Sequence, residues 1–412
     1  MKRLLSTFCF FIFVAGCWHG NAFKKGKPYQ AICCVPVADM HTGFIPKWPG
    51  KLAFHTNGPI CFADHARRCS RGHQLLFNEI VTVVKMREDY AFVAIESASL
   101  KKRKKGYTAS KYWVNKSSIV PLETLDKRGI NLANLPPAVS FNDASTLCPD
   151  NLVTLGKSWQ SPDGRLLCAG VRFMCDGRRD ARTTGVWMLD SLCSKVLNVD
   201  IPTENLIKAS DVQAKSITRR ISDFLGIIRS WCRNDDGFIP YVWSGRSPDV
   251  RCTKEAFSKL PGEPGLCNFY YHREQATHSP KMGLDCSNMV LMATQMAGLP
   301  YFFETSTTLA KFMKPIKRGQ VVDDGDLIWF PGHVVAVSNA KKGLLIEARG
   351  YGGGYGLVHE LPLNRMFEGI ETYKDLLTAC SKRRPIWLLD KWGKHLAHIK
   401  RCKLLKLSSA WT

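Results

Sequence analysis

Between Gly283 and Val290 the sequence reads GLDCSNMV, a cysteine held between an acid and a serine where an apolar helical pattern begins. Met289, Met292, Ala293 and Met296 mark one face of that helix, Gly298 is a natural C-cap, and Pro300 forbids continuation. Asp285 is a favoured N-cap residue, which puts Cys286 at the helix N-terminus. A thiol there feels the positive end of the helix dipole and several unpaired backbone N–H groups. Both favour the thiolate, the reactive form. The competing reading is a plain structural cysteine, since free cysteines are usually packing material.

A cysteine nucleophile needs a base, and His333 in FPGHVVAV, at the entry to a strand, is the best placed. The next strand-like run, LLIEAR, follows a short turn near Asn339 to Gly343. A loop centred on Ala340 sets Glu347 directly opposite His333; one centred on Lys341 sets Arg349 opposite and Glu347 one diagonal away. In both registers His333 and Glu347 share a face, because strand side chains alternate with period two; a loop of even length would put them on opposite faces. A carboxylate there accepts the imidazole's second N–H and fixes its tautomer, the part a third triad member plays. A lone strand histidine is more often a satisfied surface or core residue; the conjunction with Cys286 and Glu347 marks this one.

The elements that must carry these residues come in two styles. From Ala31 to about Leu122 the chain reads as short strands between turns, with Ile80 to Val84 β-branched throughout. A second run of strands follows, NLVTLGKSW, RLLCAGVRFMC, TGVWMLD and KVLNVDIP, after a linker at Asn131 to Pro137. Beyond Pro202 the pattern turns helical: Ile207, Val212, Ile217, Ile221, Leu225 and Ile228 recur as on one amphipathic helix. The helix from Cys286 and the strands DLIWF, HVVAVS and LLIEAR complete an α+β layout.

The length of 412 residues predicts two or three domains, and 45% hydrophobic against 23% charged residues excludes wholesale disorder. Lys and Arg number 58 against 35 Asp and Glu, a net charge of +23 that calls for acidic partners: nucleic acid, anionic lipid or anionic cell wall. The run KKRKK, Lys101 to Lys105, reads as a solvated loop, and no nucleic-acid-binding motif accompanies it, so no nucleic-acid partner is expected. Met1 to Arg3 followed by the apolar run Leu4 to Gly16 predicts an export signal over 1–22. Two exits compete: lipidation at Cys17 after Val14-Ala15-Gly16, or cleavage after Gly20-Asn21-Ala22. Sixteen cysteines in an exported chain permit disulfides, with Cys252–Cys267 and Cys168–Cys175 as candidates, while no CxxC pair points to zinc.

GFIPYVWSGRSPD, GLDCSNMV, DDGDLIWFPGHVVAV and LLIEARG, in this order, resemble the four motif blocks of the NlpC family of bacterial cell-wall cysteine peptidases. The match runs roughly from Ile217 to Leu389. The resemblance implies a papain-like α+β peptidase domain over 206–405. Upstream, PVADMHT, LFNEIVTVV and KYWVNKSSIV are similar to paired bacterial SH3-like β-barrels, here 23–131 and 138–205. By the same resemblance Cys286 is the nucleophile, His333 the base and Glu347 the orienting residue, usually a histidine in relatives, with His359 as the fallback. Tyr241 matches a tyrosine that helps bind substrate and the oxyanion. Asp285 and Ser287 match pocket positions where relatives hold the free amine of an N-terminal L-alanine. Glu79, with Tyr107 or Tyr112, would supply the acid and tyrosine that the first SH3-like domain adds to that pocket.

Three departures stand out. Asn288 replaces the glycine of the usual DCSG, Ser244 a glycine of the usual WGG, and a long insert occupies 249–282. The insert reads either as a lid or specificity loop or as a surface excursion pinned by a disulfide. The expectation is an exported cysteine endopeptidase of the cell envelope. It would cut the γ-D-glutamyl-diaminopimelate bond of peptidoglycan stem peptides or muropeptides, with no metal or cofactor, and meet the membrane only through lipidated Cys17. The rivals are a non-catalytic wall-binding protein and an amidase or acyl transferase on the same fold.

Overall fold

The computed structural model describes residues 27–43, 71–101, 107–234, 237–248, 282–350 and 353–411. The export segment with Cys17, the rest of the basic run after Lys101, and nearly all of the 249–282 insert with Cys252 and Cys267 lie outside the described residues.

Seven strands form the first sheet: β1 (Tyr29–Cys33), β2 (Val37–His41), β3 (Arg71–Leu76), β4 (Ile80–Arg87), β5 (Tyr90–Lys101), β6 (Tyr107–Asn115) and β7 (Ile119–Pro121), in the order β3-β2-β6-β5-β4-β1-β7. Every pairing in it is antiparallel. In β4 the β-branched run alternates, Val81 and Val83 entering the core while Thr82 does not. The second sheet holds β8 (Leu152–Leu155), β9 (Arg172–Arg179), β10 (Thr183–Leu189), β11 (Val196–Pro202) and β12 (Leu206–Lys208), ordered β11-β10-β9-β8-β12. Cys168 is buried before β9 and Cys175 lies within that strand opposite Val186, and the expected Cys168–Cys175 disulfide does not form.

The recurrence from Ile207 to Ile228 is divided rather than one helix. Leu206–Lys208 pairs with β8, carrying the second sheet past the expected boundary at 205. After a short helix at Ala209–Gln213, Ser216 caps α1 (Ile217–Ser230) by accepting the Arg219 N–H at 3.3 Å. A free sheet edge offered ladder partners that an apolar periodicity cannot register.

Helix α2 (Cys286–Met296) is buried along nearly its whole length. It packs on a sheet of β13 (Leu327–Phe330), β14 (His333–Asn339), β15 (Leu344–Arg349) and β16 (Leu357–Pro362). The hairpin β17 (Ile386–Leu389) and β18 (His395–Ile399) precedes β19 (Lys403–Leu405), which closes the order β16-β15-β14-β13-β19. Alternation splits the sheet's side chains between two cores. Trp329, Val334, Ala336, Ile346 and Ala348 join α1 and α2, whereas Ile328, Val335, Val337 and Leu345 pack with Leu363–Tyr373. A sheet buried on both faces explains why these strands are near-continuous apolar runs. The disulfide Cys380–Cys402 ties the helix Tyr373–Ser381 to the segment entering β19.

The first sheet is not a remote appendage. Arg71 donates to the Trp243 carbonyl at 3.0 Å, and Gln74 accepts from the Arg246 N–H at 2.8 Å and the Ser247 hydroxyl at 2.9 Å. From the β5 side, Ser99 donates to the Phe302 carbonyl through both backbone N–H and hydroxyl. The loops on either side of α2 are therefore held by the N-terminal sheet.

Candidate active site

Asp285 caps α2 with extended backbone, accepting the Asn288 N–H at 2.7 Å and the Ser287 hydroxyl at 3.1 Å. This fixes Cys286 in the first turn, buried, with its sulfur against the Val334 N–H, one residue from His333. Burial and the adjacent Asp285 carboxylate push the thiol up, against the hydrogen bonds of Val334 and Ser287 that favour its anion. The resting group is thus the thiol, not the thiolate expected from the helix terminus. That expectation counted the dipole and left out desolvation and the neighbouring acid.

β14 pairs with β15 as Ala336↔Ile346 and Val337↔Leu345 before a bulge shifts it to Asn339↔Leu344. Continued to the strand's start, this register sets Arg349 opposite His333 and Glu347 one diagonal away. His333 Nε2 meets Glu347 Oε2 at 2.8 Å, which leaves Nδ1 for the side of the ring away from the acid. Glu347 is fully buried on the middle strand of three. Its other oxygen takes Arg349 Nε at 2.8 Å and His359 Nε2 at 3.1 Å, His359 being its direct partner across β16. Burial alone would raise this carboxyl; the Arg349 charge and the bonds from His333 and His359 outweigh it and hold Glu347 well below the usual carboxylate range. His359, the fallback, stands behind the acid rather than in its place.

Tyr241 is placed by backbone. It bridges to Leu284, two residues before Cys286, and donates its N–H to the Gly356 carbonyl at 2.9 Å. Segments 240–245 and 283–285 lie so close that a Cβ on Gly245 would sit 2.6 Å from the Gly283 carbonyl. Ser244, in place of the usual glycine, takes the left-handed conformation at φ 53° and turns its N–H to the Asp285 carboxylate. Asn288 is buried, so the other departure is taken up in packing.

Glu79 and Tyr112 are not brought together. Glu79 accepts Arg246 at 2.6 Å and the Leu76 N–H at 2.8 Å, a buried ion pair that docks β3 onto the Arg246 loop. Tyr112, its ring against Gly72 where no Cβ would fit, instead donates to Glu304, as does Ser110. Tyr107 opens β6, and its side chain lies outside the described residues. Glu304 is the acid that sequence reasoning missed. It sits in FFET, just before the N-cap Thr305, and nothing local distinguishes it; its partners are nearly two hundred residues upstream. Burial raises Glu304 to about 7, with Asp285 adding to the shift and the two hydroxyls opposing it. Asp285 itself is raised by burial to about 6, against the hydrogen bonds of Asn288, Ser287 and Ser244. His73, stacked on Tyr112 at 6.0 Å, is held neutral by burial.

Neither a protein-family model nor a curated relative matches the sequence. Among solved structures the chain is similar to an NlpC/P60 family protein from Bacillus cereus, at 14% identity and TM-score 0.53, over 82% of this chain and 95% of that one. At that identity the likeness establishes a shared fold. NlpC2 from Trichomonas vaginalis aligns over 82% of this chain and 95% of that one, at 12% identity and TM-score 0.31. The peptidoglycan hydrolase RipB from Mycobacterium tuberculosis aligns over 40% and 68%, at 20% identity and TM-score 0.24.

Proposed function

We propose that the protein is an exported cysteine endopeptidase of the cell envelope that cleaves a γ-D-glutamyl bond to diaminopimelate in peptidoglycan stem peptides carrying a free N-terminal L-alanine. On this reading residues 206–405 form the papain-like peptidase unit and the sheets over 23–131 and 138–205 are SH3-like units, the second joined by the strand Leu206–Lys208. The four ordered motifs and the fold shared with an NlpC/P60 protein support it. The observation that carries it is the His333–Glu347 contact at 2.8 Å on fully buried Glu347, beside Cys286, whose sulfur lies against the Val334 N–H.

In this mechanism the Cys286 thiol gives its proton to His333 as sulfur attacks the carbonyl, since the thiol is not ionised in advance. Glu347, held well below the usual carboxylate range and so charged near neutral pH, stabilises the imidazolium and fixes its orientation. The Cys286 N–H at the helix start and the Tyr241 hydroxyl receive the oxyanion. His333 then protonates the leaving amine, and water attacking the thioester restores the thiol. At the other end, Asp285, Glu304 and Tyr112 take the substrate's ammonium, whose charge draws both raised carboxyls into their ionised form.

Digestion of L-Ala-γ-D-Glu-diaminopimelate, read by mass spectrometry, tests both halves. Release of diaminopimelate is expected from the wild type, reduced ~10⁴-fold or more in Cys286→Ala. No release from this peptide or from intact wall would overturn the reading in favour of a binding protein. Release of an acyl chain from lipid instead would favour the acyl-transferase alternative.

A further inference from the structure

Of the seven exposed large apolar side chains among the described residues, three fall within Trp387–Leu396, on and beside the hairpin β17–β18: Trp387 at 39%, Trp392 at 43% and Leu396 at 40% exposure. The hairpin is one-sided. Ile386, Leu388, Leu389 and Ile399 are buried, and Leu388 bridges to Phe367. The Trp387 ring lies outside, stacked on His395 at 4.5 Å and packed on His398 at 5.0 Å. Trp392 rests on the backbone of Gly354, where a Cβ would come within 2.3 Å of its ring, so the exposed indole is held rather than loose.

Cations bracket this apolar strip at both ends. Lys382, Arg383 and Arg384 precede β17, Lys400 and Arg401 follow β18, and Lys394 sits at the turn, all exposed. Carboxylates are few and engaged: Asp390 accepts the Trp392 N–H at 2.9 Å and the Lys394 N–H at 2.8 Å, and Glu368 pairs with His395 at 2.8 Å. We infer that this hairpin is a docking face for an anionic phospholipid surface. Indoles and an aliphatic side chain seat at the headgroup level, while flanking cations neutralise lipid phosphate. A sugar-binding face would also stack on indoles, but it needs acceptors free to bond hydroxyls, and here the nearby carboxylates are taken. Among the described residues no helix is long and apolar enough to cross a membrane, so the contact lies on the surface. The inference is independent of the peptidase reading, and it gives the excess of basic residues a use that the site does not.

The test is backbone hydrogen exchange on the full chain, with vesicles of phosphatidylcholine alone, vesicles containing a third phosphatidylglycerol, and soluble glycan strands from cell wall. Exchange within 386–399 is expected to slow several-fold with the anionic vesicles and not with the others. In sedimentation with those vesicles, Arg384→Gln and Lys394→Gln should each lower partitioning about five-fold. Leu396→Asp should lower it about ten-fold. Raising salt should weaken binding in the wild type. Comparable thermal midpoints for these surface variants exclude misfolding, and the charge variants stand even if Leu396→Asp fails to fold. No slowing with anionic vesicles, slowing with glycan strands instead, or variants that partition like the wild type would each overturn the inference.

Discussion

Two buried glutamates lie on either side of the Cys286 helix and behave oppositely. Glu347 is contacted by Arg349, His333 and His359 and stays ionised far below the ordinary range. Glu304 is equally buried, but its hydrogen-bond donors are the hydroxyls of Ser110 and Tyr112, and it rises to about 7. Burial penalises charge at both; the difference is whether the fold supplies a cation, as Arg349 does for Glu347, whereas His73, 3.5 Å from Glu304, is held neutral by burial. Where it does, the carboxylate is a fixed element that orients an imidazole. Where it does not, the site is left short of one positive charge, and an ammonium from a substrate would complete it.

The sharpest way to break the contrast is Glu347→Gln. The amide keeps the shape but cannot stabilise the imidazolium, so kcat should fall ~10³-fold or more. Arg349 and two histidines lose their shared anion as well, and removing one member of a buried charge cluster costs about 3–5 kcal/mol. The pH dependence has a definite sign. Glu347's folded pKa lies below its unfolded value, so its contribution is present above the unfolded value near ~4.3 and is lost as pH falls through the folded one. Thermal midpoints of wild type and variant should therefore differ at pH 7 and converge in strong acid. Retention of near-normal kcat would mean that Glu347 only props the strands.

The Glu347 side of the site was legible in the sequence and the Glu304 side was not, for a physical reason. His333 and Glu347 sit on adjacent strands joined by a tight turn, so period-two alternation places them on one face for any odd loop, and the loop's parity and register were left for the structure. Cys286 and its cap lie within one helical turn. Glu304 meets Tyr112, and Arg246 meets Glu79, through packing of the first sheet against the loops around α2, and no local pattern encodes contacts between residues so far apart in the chain. Glu79 was an acid near an expected pocket, but Arg246, buried in the adjoining loop, claims it. The strand at Leu206–Lys208 escaped for the same reason: its partner is fifty residues earlier.

Glu304→Gln should separate stability from recognition. Between its unfolded pKa of ~4.3 and its folded value of about 7, the native state holds a proton that the unfolded chain lacks. Stability from this group is therefore complete below the unfolded value and declines as pH rises through about 7, by ~3 kcal/mol in all. Glutamine has no such dependence and can still accept from a hydroxyl. The variant should be the more stable protein at pH 8, with the difference shrinking toward zero near pH 4. Its kcat/KM on a free-amine tripeptide should nonetheless drop ten- to hundred-fold at pH 8, the worth of a charge-assisted hydrogen bond. An N-acetylated peptide should be cut equally poorly by both proteins. Asp285 adds a related signature: as pH falls through about 6 it takes up a proton, and KM for the free-amine peptide should rise.

The smallest effect belongs to His359→Gln, and it tests which residue orients His333. The two histidines approach different oxygens of one carboxylate, His333 at Oε2 and His359 at Oε1, and Arg349 Nε also reaches Oε1 at 2.8 Å. With Arg349 in place the acid keeps its charge and its position after His359 is replaced, and a glutamine amide can donate to the same oxygen. The loss in kcat should stay within about ten-fold, the scale of a supporting hydrogen bond one shell out. A loss approaching that of Glu347→Gln would reverse the assignment, because the imidazole packed at a tilt on Tyr355 at 4.2 Å would then be the group that fixes the acid and, through it, the base.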